Sequence, residues 1–101
     1  MKSPETMSIR QLAAQCIIEA VHEEFFTTDE EYREKRIHLV SREGVGGICV
    51  FKGNLERTSL MISELQEASA VPLFVSADFE YGLPMRLDKI GRASCRERVQ
   101  I

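Results

Sequence analysis

The sequence predicts an α/β fold with parallel strands, and three observations carry the prediction. Two apolar runs, residues 45–51 and 71–76, lack the alternation of half-buried strands and read as strands covered on both faces. The roughly 20 residues between them carry a helix, which makes a βαβ crossover with parallel strands and a right-handed connection. The second run stops abruptly at Asp78-Phe79-Glu80-Tyr81-Gly82, and polar groups just past a strand's carboxyl end lie where parallel α/β folds collect their ligands.

The elements follow in order along the chain. Residues 1–7 form a loose lead-in, and residues 8–89 form one continuous unit without repeat, low-complexity stretch or linker. Ser8-Ile9-Arg10-Gln11 has capping-box form, and Ile9, Leu12, Ala13, Cys16, Ile17 and Ala20 recur at helical spacing, which predicts a helix over 8–20. The short run Cys16-Ile17-Ile18 equally fits a buried strand opening after one or two helical turns, and period alone leaves both readings open. Thr28 ahead of Asp29-Glu30-Glu31 marks the next start and Gly44 the stop, giving a helix over 29–42 with Tyr32, Leu39 and Val40 inward. Its acids precede its bases, as the helix dipole prefers. Glu30, Glu31, Arg33, Glu34, Lys35 and Arg36 therefore read as a solvated face with no function. Residues 45–51 form a strand that opens at the close-packed pair Gly46-Gly47 and ends at Lys52-Gly53. Asn54 caps the following helix, whose apolar side holds Leu55, Met61, Ile62, Leu65 and Ala68, and the strand over 71–76 closes the unit.

With 101 residues, 44% hydrophobic and 29% charged, the chain has the composition of one small globular domain. No apolar stretch is long enough to span a bilayer, and Met1-Lys2-Ser3-Pro4-Glu5-Thr6 lacks the basic-then-apolar order of a signal peptide. No membrane partner and a cytoplasmic location are expected. Cys16, Cys49 and Cys95 are odd in number, and the first two sit in apolar runs, which predicts buried or unpaired structural thiols instead of a disulfide framework. His22 and His38 lack partners at metal-ligand spacing and read as surface or packing residues, so no metal and no cofactor are expected. Phosphate loop, catalytic triad and zinc signatures are absent from the sequence.

Residues 90–101 change character, with neither helical nor strand periodicity. They resemble the translation of a short sequencing adapter and are expected to be a non-native tail, with the coding sequence continuing past residue 89. Arg92, Arg96 and Arg98 in that tail, with no aromatic interleaving, make a poor nucleic-acid footprint. Leaving out the tail's three Arg and one Glu gives 10 basic and 15 acidic residues, a formal charge of −5 that disfavours polyanions. No nucleic-acid partner is expected.

Three segments, in order and at matching spacing, resemble the N-terminal barrel domain of family 3 glycoside hydrolases, the exo-acting β-glucosidases and β-N-acetylhexosaminidases. The first is Val45-Gly46-Gly47-Ile48-Cys49-Val50-Phe51, the second the helix through Ile62-Ser63-Glu64-Leu65-Gln66, and the third runs from Pro72 through Asp78, Glu80 and Gly82 to Arg86. In that family the third segment is an apolar strand, Asp, any residue, Glu, Gly-Gly-Arg, two residues and Arg. Asp78, Glu80, Gly82 and Arg86 keep the register, while Tyr81 stands where a Gly is usual and Leu83 where an Arg is usual. The likeness reaches weakly to Ser8, covers residues 8–89 and favours a strand near Cys16 to Ala20. It implies an incomplete (β/α)₈ TIM barrel. A whole barrel takes about 250 residues and eight strands, so roughly the first three β/α units are expected here, with edges and apolar faces left exposed and independent folding poor.

The resemblance also implies a retaining exo-β-glycosidase that hydrolyses terminal β-linked glucosyl or N-acetylglucosaminyl residues, with a carbohydrate as its partner. Such enzymes need a nucleophilic carboxylate and a separate acid/base group. Asp78 and Glu80 are not that pair. The resemblance assigns Asp78 to the hydroxyls of the terminal sugar, Arg86 to positioning those hydroxyls or bracing the Asp, and Glu80 and Gly82 to holding the loop. The nucleophile and the acid/base group are expected downstream, so the fragment alone should be inactive. An ionised carboxylate accepting from two hydroxyls suits Asp78's role, because the wrong epimer leaves an acceptor unpaired. A plain strand-end cap is the structural alternative for Asp78. The competing class is a doubly wound signalling or binding module of receiver type, with Glu23 and Glu24 after the first strand and Asp78 after a later one. That class needs a helix directly after the acidic pair, where the sequence offers Phe25-Phe26-Thr27-Thr28.

Overall fold

The structure, a computed structural model, describes residues 3–77 and 87–88. After a 3₁₀ turn at Pro4–Thr6, Ser8 caps helix α1 (Ile9–Ala14). Its hydroxyl accepts from the Gln11 N–H at 3.1 Å, and the Gln11 side chain accepts from the Ser8 N–H at 2.8 Å, the reciprocal capping box the sequence predicts. The helix ends after six residues and strand β1 (Ile18–Val21) follows, so the shorter of the two readings of this region holds. Tertiary hydrogen bonds decide it. The Gly46 N–H donates to the carbonyls of Ala14 and Ile17, each at 3.1 Å, and ties the end of α1 to the sheet.

Helix α2 (Glu23–Thr28) has no counterpart among the predicted elements. Thr28 accordingly closes α2, its hydroxyl donating to the Glu24 carbonyl at 2.8 Å, and Asp29 is the cap of α3 (Glu30–His38), accepting from the Tyr32 N–H at 3.2 Å. The helical path widens into a π-type turn over Leu39–Glu43 and stops at Gly44, whose φ of 76° reverses the chain while its N–H donates to the Leu39 carbonyl. Next come β2 (Gly47–Val50), β3 (Gly53–Asn54), α4 (Leu55–Ala68), β4 (Phe74–Ala77) and β5 (Leu87–Asp88). Asn54 caps α4 as expected, accepting from the Arg57 N–H at 3.1 Å.

Strands β1, β2 and β4 form a parallel sheet in that order, with Val21, Val50 and Ala77 level at its carboxyl edge. Strands β3 and β5 make a separate two-residue parallel ladder. One sheet face carries Val21, Ile48 and Val50 into a core with Phe26, Val40, Met61 and Leu65. Helices α2 and α3 of the first crossover touch α4 of the second, so both crossovers lie on this face. On the opposite face two large apolar side chains stand exposed among the described residues. Ile18 is 57% and Phe74 79% exposed there. Phe74 corrects the expectation that the run 71–76 is covered on both faces, because an apolar run reports what a strand can bury, not whether a second layer is present; β2 within 45–51 is buried or half-buried throughout. The molecule is thus a mixed α/β unit compatible with an incomplete α/β fold. Among the described residues no helix is long and apolar enough to cross a membrane.

One further expectation is corrected. Glu30, Glu31, Glu34 and Lys35 are solvated, but Arg33 and Arg36 turn inward on their long stems. Arg33 pairs with Glu64 of α4 at 2.8 Å, which raises its guanidinium pKa further, and Arg36 pairs with Glu19 at 3.4 Å while its guanidinium lies 3.9 Å from the Tyr32 ring centroid. Cys16 and Cys49 are both free, as the reading of unpaired thiols expects, Cys16 exposed at the turn between α1 and β1 and Cys49 half-buried.

At the amino edge of the sheet Arg10 of α1 holds Glu43 at 2.9 Å. The Arg10 hydrogen bond and charge, with a smaller contribution from His38, hold the Glu43 carboxyl below its ordinary value of 4.5. A depressed folded-state pKa means that this tie is present above the unfolded value and is lost as pH falls through the folded one. Both side chains are well exposed, so salt screens the pair. Arg10→Gln is expected to move the Glu43 midpoint upward in a carboxyl-carbon NMR titration, and high salt should produce much of the same movement in the parent chain. An unchanged midpoint in Arg10→Gln would remove the assigned cause.

Candidate functional site

The carboxyl edge of the sheet is where the chain concentrates polar and aromatic groups. Residues leaving β1 and β2 together supply His22, Glu23, Phe51, Lys52, Gly53 and Asn54, and β4 ends at Ala77, level with Val21 and Val50. Asp78, Glu80, Gly82 and Arg86, the residues expected to bind sugar or hold the loop, lie outside the described residues. What the structure does give is the place from which that segment departs: the end of β4, on the edge that also carries the ends of β1 and β2.

Glu23 is the unexpected member of this edge. It opens α2 yet is only 2% exposed, and its carboxylate is fully engaged. Oε1 takes the Arg57 Nε at 2.7 Å and the Thr27 hydroxyl at 3.0 Å, and Oε2 takes the Asn54 backbone N–H at 3.4 Å. A buried carboxylate survives only when a cation and hydrogen-bond donors replace its water, and this set supplies both. Because Asn54 and Arg57 belong to the cap and first turn of α4, Glu23 straps the segment after β1 to the segment after β2. Its neighbour Glu24 is exposed. The two carboxylates therefore do not converge, even though a helix does begin at this pair.

Beside the strap lies an aromatic cluster. The His22 and Phe51 rings stack with centroids 4.5 Å apart and planes 9° from parallel. Phe25 is tilted against His22 at 5.6 Å, and Tyr32 meets the edge of Phe25 at 5.7 Å. The Tyr32 hydroxyl accepts from the His22 backbone N–H at 3.0 Å, which fixes the cluster to α3. The sequence marks His22 only as a surface or packing residue, and its place directly after β1 brings it to this edge. No group of three or more potential metal ligands comes together among the described residues.

Comparison with protein-family models finds no match, and comparison with curated proteins likewise finds none.

Proposed function

We propose that the chain is the amino-terminal part of the barrel domain of a retaining exo-β-glycosidase of the family 3 type, holding part of the sugar-binding subsite without the catalytic carboxylates. The observation that supports this reading best is the singly wound order of the sheet. Three parallel strands follow one another without reversal, with both crossovers on one face, and the third ends one residue before Asp78. A barrel grows by repeating that step, and its substrate groups sit on loops after the strands' carboxyl ends. The sheet face of Ile18 and Phe74 then corresponds to a barrel interior.

In this reading Asp78 accepts hydrogen bonds from two hydroxyls of the terminal sugar, and Arg86 donates to the same hydroxyls or to Asp78 in charge-assisted bonds. Glu80 and Gly82 hold the loop. A nucleophilic carboxylate and an acid/base group further along the parent protein form and hydrolyse the glycosyl intermediate. The test is to extend the reading frame past codon 89 and assay its product. The extended protein should carry a Lys-His strand-end motif and a later Asp nucleophile, and should cleave aryl β-glucosides or aryl β-N-acetylglucosaminides. The 101-residue chain should cleave neither. In the extended enzyme Asp78→Asn should lower kcat/KM by about 100-fold or more, because a site built around sugar hydroxyls loses heavily when one partner is removed. A loss below about twofold would assign Asp78 to a strand-end cap, and turnover by the short chain would show the catalytic groups to be misassigned.

A further inference from the structure

We propose that the groove between α1 and α3, on the flank of the edge strand β1, binds a medium-chain aliphatic carboxylate, its chain on the apolar floor and its head group at Lys35. The groove encloses about 650 Å³, inside the roughly 300–1,000 Å³ range of small-molecule sites. Two helical faces shape it. Arg10, Ala13 and Ala14 of α1 stand at i, i+3 and i+4, and so do Lys35, His38 and Leu39 along α3 and the turn that follows, so both segments present one face to the same space. Glu19 of β1 and Val45 complete the lining. The groove lies by the amino end of the sheet, away from the carboxyl edge from which Asp78 departs, and the inference does not rest on the glycosidase reading.

An aliphatic chain suits this floor. Ala13 and Ala14 are too short to fill the space between the helices, and Ile17 beside them stays 51% exposed. With Leu39 and Val45 the floor is aliphatic throughout, without a ring or a hydroxyl, so the surface it can bury grows with the length of a hydrocarbon chain. The charges at the rim select the head group. Glu43 is held by Arg10 at 2.9 Å and lies 3.6 Å from His38, and Glu19 is held by Arg36 at 3.4 Å. Lys35 has neither an ion pair nor a hydrogen bond among the described residues, which leaves one uncommitted positive charge on the rim. An apolar floor with a single free cation beside it is complementary to a monoanion that carries an apolar tail.

The test is an NMR titration of the full 101-residue chain with sodium octanoate and, in parallel, with octylammonium chloride, which has the same chain and the opposite charge. The methyl signals of Ala13, Ile17 and Leu39 should move with octanoate along one binding curve. Leu60 and Phe74, 71% and 79% exposed on α4 and on the sheet, should stay still. Equal movement at Leu60 and Phe74 would show a general attraction of hydrocarbon to exposed apolar surface and overturns the site. Octylammonium binding as tightly as octanoate overturns the assignment of the head group. Hexanoate should bind about threefold to tenfold more weakly than octanoate, since two partly buried methylenes are lost, and equal affinity removes the apolar floor from the proposal. Lys35→Gln should weaken octanoate by about twofold to fivefold, the worth of an exposed ion pair, and Lys35→Arg should restore it to within about twofold. An unchanged affinity in Lys35→Gln overturns the role of Lys35. Movement of the same methyls on diluting the protein without octanoate would show that a second copy covers the groove, which overturns the proposal as well. Lys35 is exposed, so both variants should keep the parent circular dichroism spectrum.

Discussion

Gly46→Ala is expected to destabilise the unit by more than about 3 kcal/mol, at or beyond the upper range for forcing a methyl into a packed site. The Gly46 backbone presses on the end of α1 so closely that a Cβ there would fall inside the Gln15 carbonyl group and within 2.9 Å of the Gln15 Cα. These are backbone atoms, so no rotamer change relieves the overlap. Movement would break the paired bonds from the Gly46 N–H to Ala14 and Ile17, and with them the 3.0 Å bond from the Phe74 N–H to the Gly46 carbonyl. One residue thus joins α1, β1 and β4 at the amino edge. Gly44→Ala is the matched control, because nothing lies within 4 Å of its Cβ position and only its φ of 76° is strained. That change should cost about 1 kcal/mol. Urea unfolding of both variants checks the ordering, and a Gly46→Ala loss no larger than that of Gly44→Ala would mean that α1 can step away from the sheet freely.

How far the sequence foretold this depends on the range of the interaction involved. The Ser8–Gln11 box, the Asn54 cap and the Gly44 stop were all legible, since each is decided by partners within one helical turn. Strands β2 and β4 were legible as apolar runs and their parallel pairing followed from the connection length, whereas period alone left β1 open between helix and strand. Helix α2 was not. Six residues, Glu-Glu-Phe-Phe-Thr-Thr, show no helical period and contain weak helix formers, and what holds them is the long-range anchoring of Glu23. Glu23's burial was equally hidden, because its Asn54 partner lies 31 residues away in sequence and a Glu-Glu pair ordinarily signals solvent. For the same reason Phe74 could not be told from a core residue: its exposure depends on whether a second layer covers the sheet. Of the candidate site, the sequence reading proposed Asp78 and Arg86, which lie outside the described residues, and the folded chain added the Glu23 strap and the His22–Phe51 stack at the carboxyl edge of the sheet.

Breaking the Glu23–Arg57 strap is the second large effect expected, and a double-mutant cycle separates its parts. Glu23→Leu removes the acceptor for Thr27, Asn54 and Arg57 together, and should destabilise by about 2 kcal/mol, the scale for losing hydrogen bonds to a charged group whose donors water can only partly re-satisfy. Arg57→Leu leaves the carboxylate buried without its cation. For a pair buried at both ends that loss would be about 3–5 kcal/mol, but the Arg57 side chain is 56% exposed, so water can replace part of the lost interaction and about 2 kcal/mol is expected. The double variant should lose less than the sum of the two, since removing both charges leaves no buried ion uncompensated, and a coupling of about 1–2 kcal/mol in urea unfolding follows. A coupling under about 0.3 kcal/mol would mean that the two side chains act independently. Because the strap fixes the segment after β1 against the first turn of α4, its loss should also loosen the His22–Phe51 stack. The ring signals of those two residues should therefore broaden or shift in the single variants in proportion to the stability lost, which links the buried charge to the exposed surface it positions.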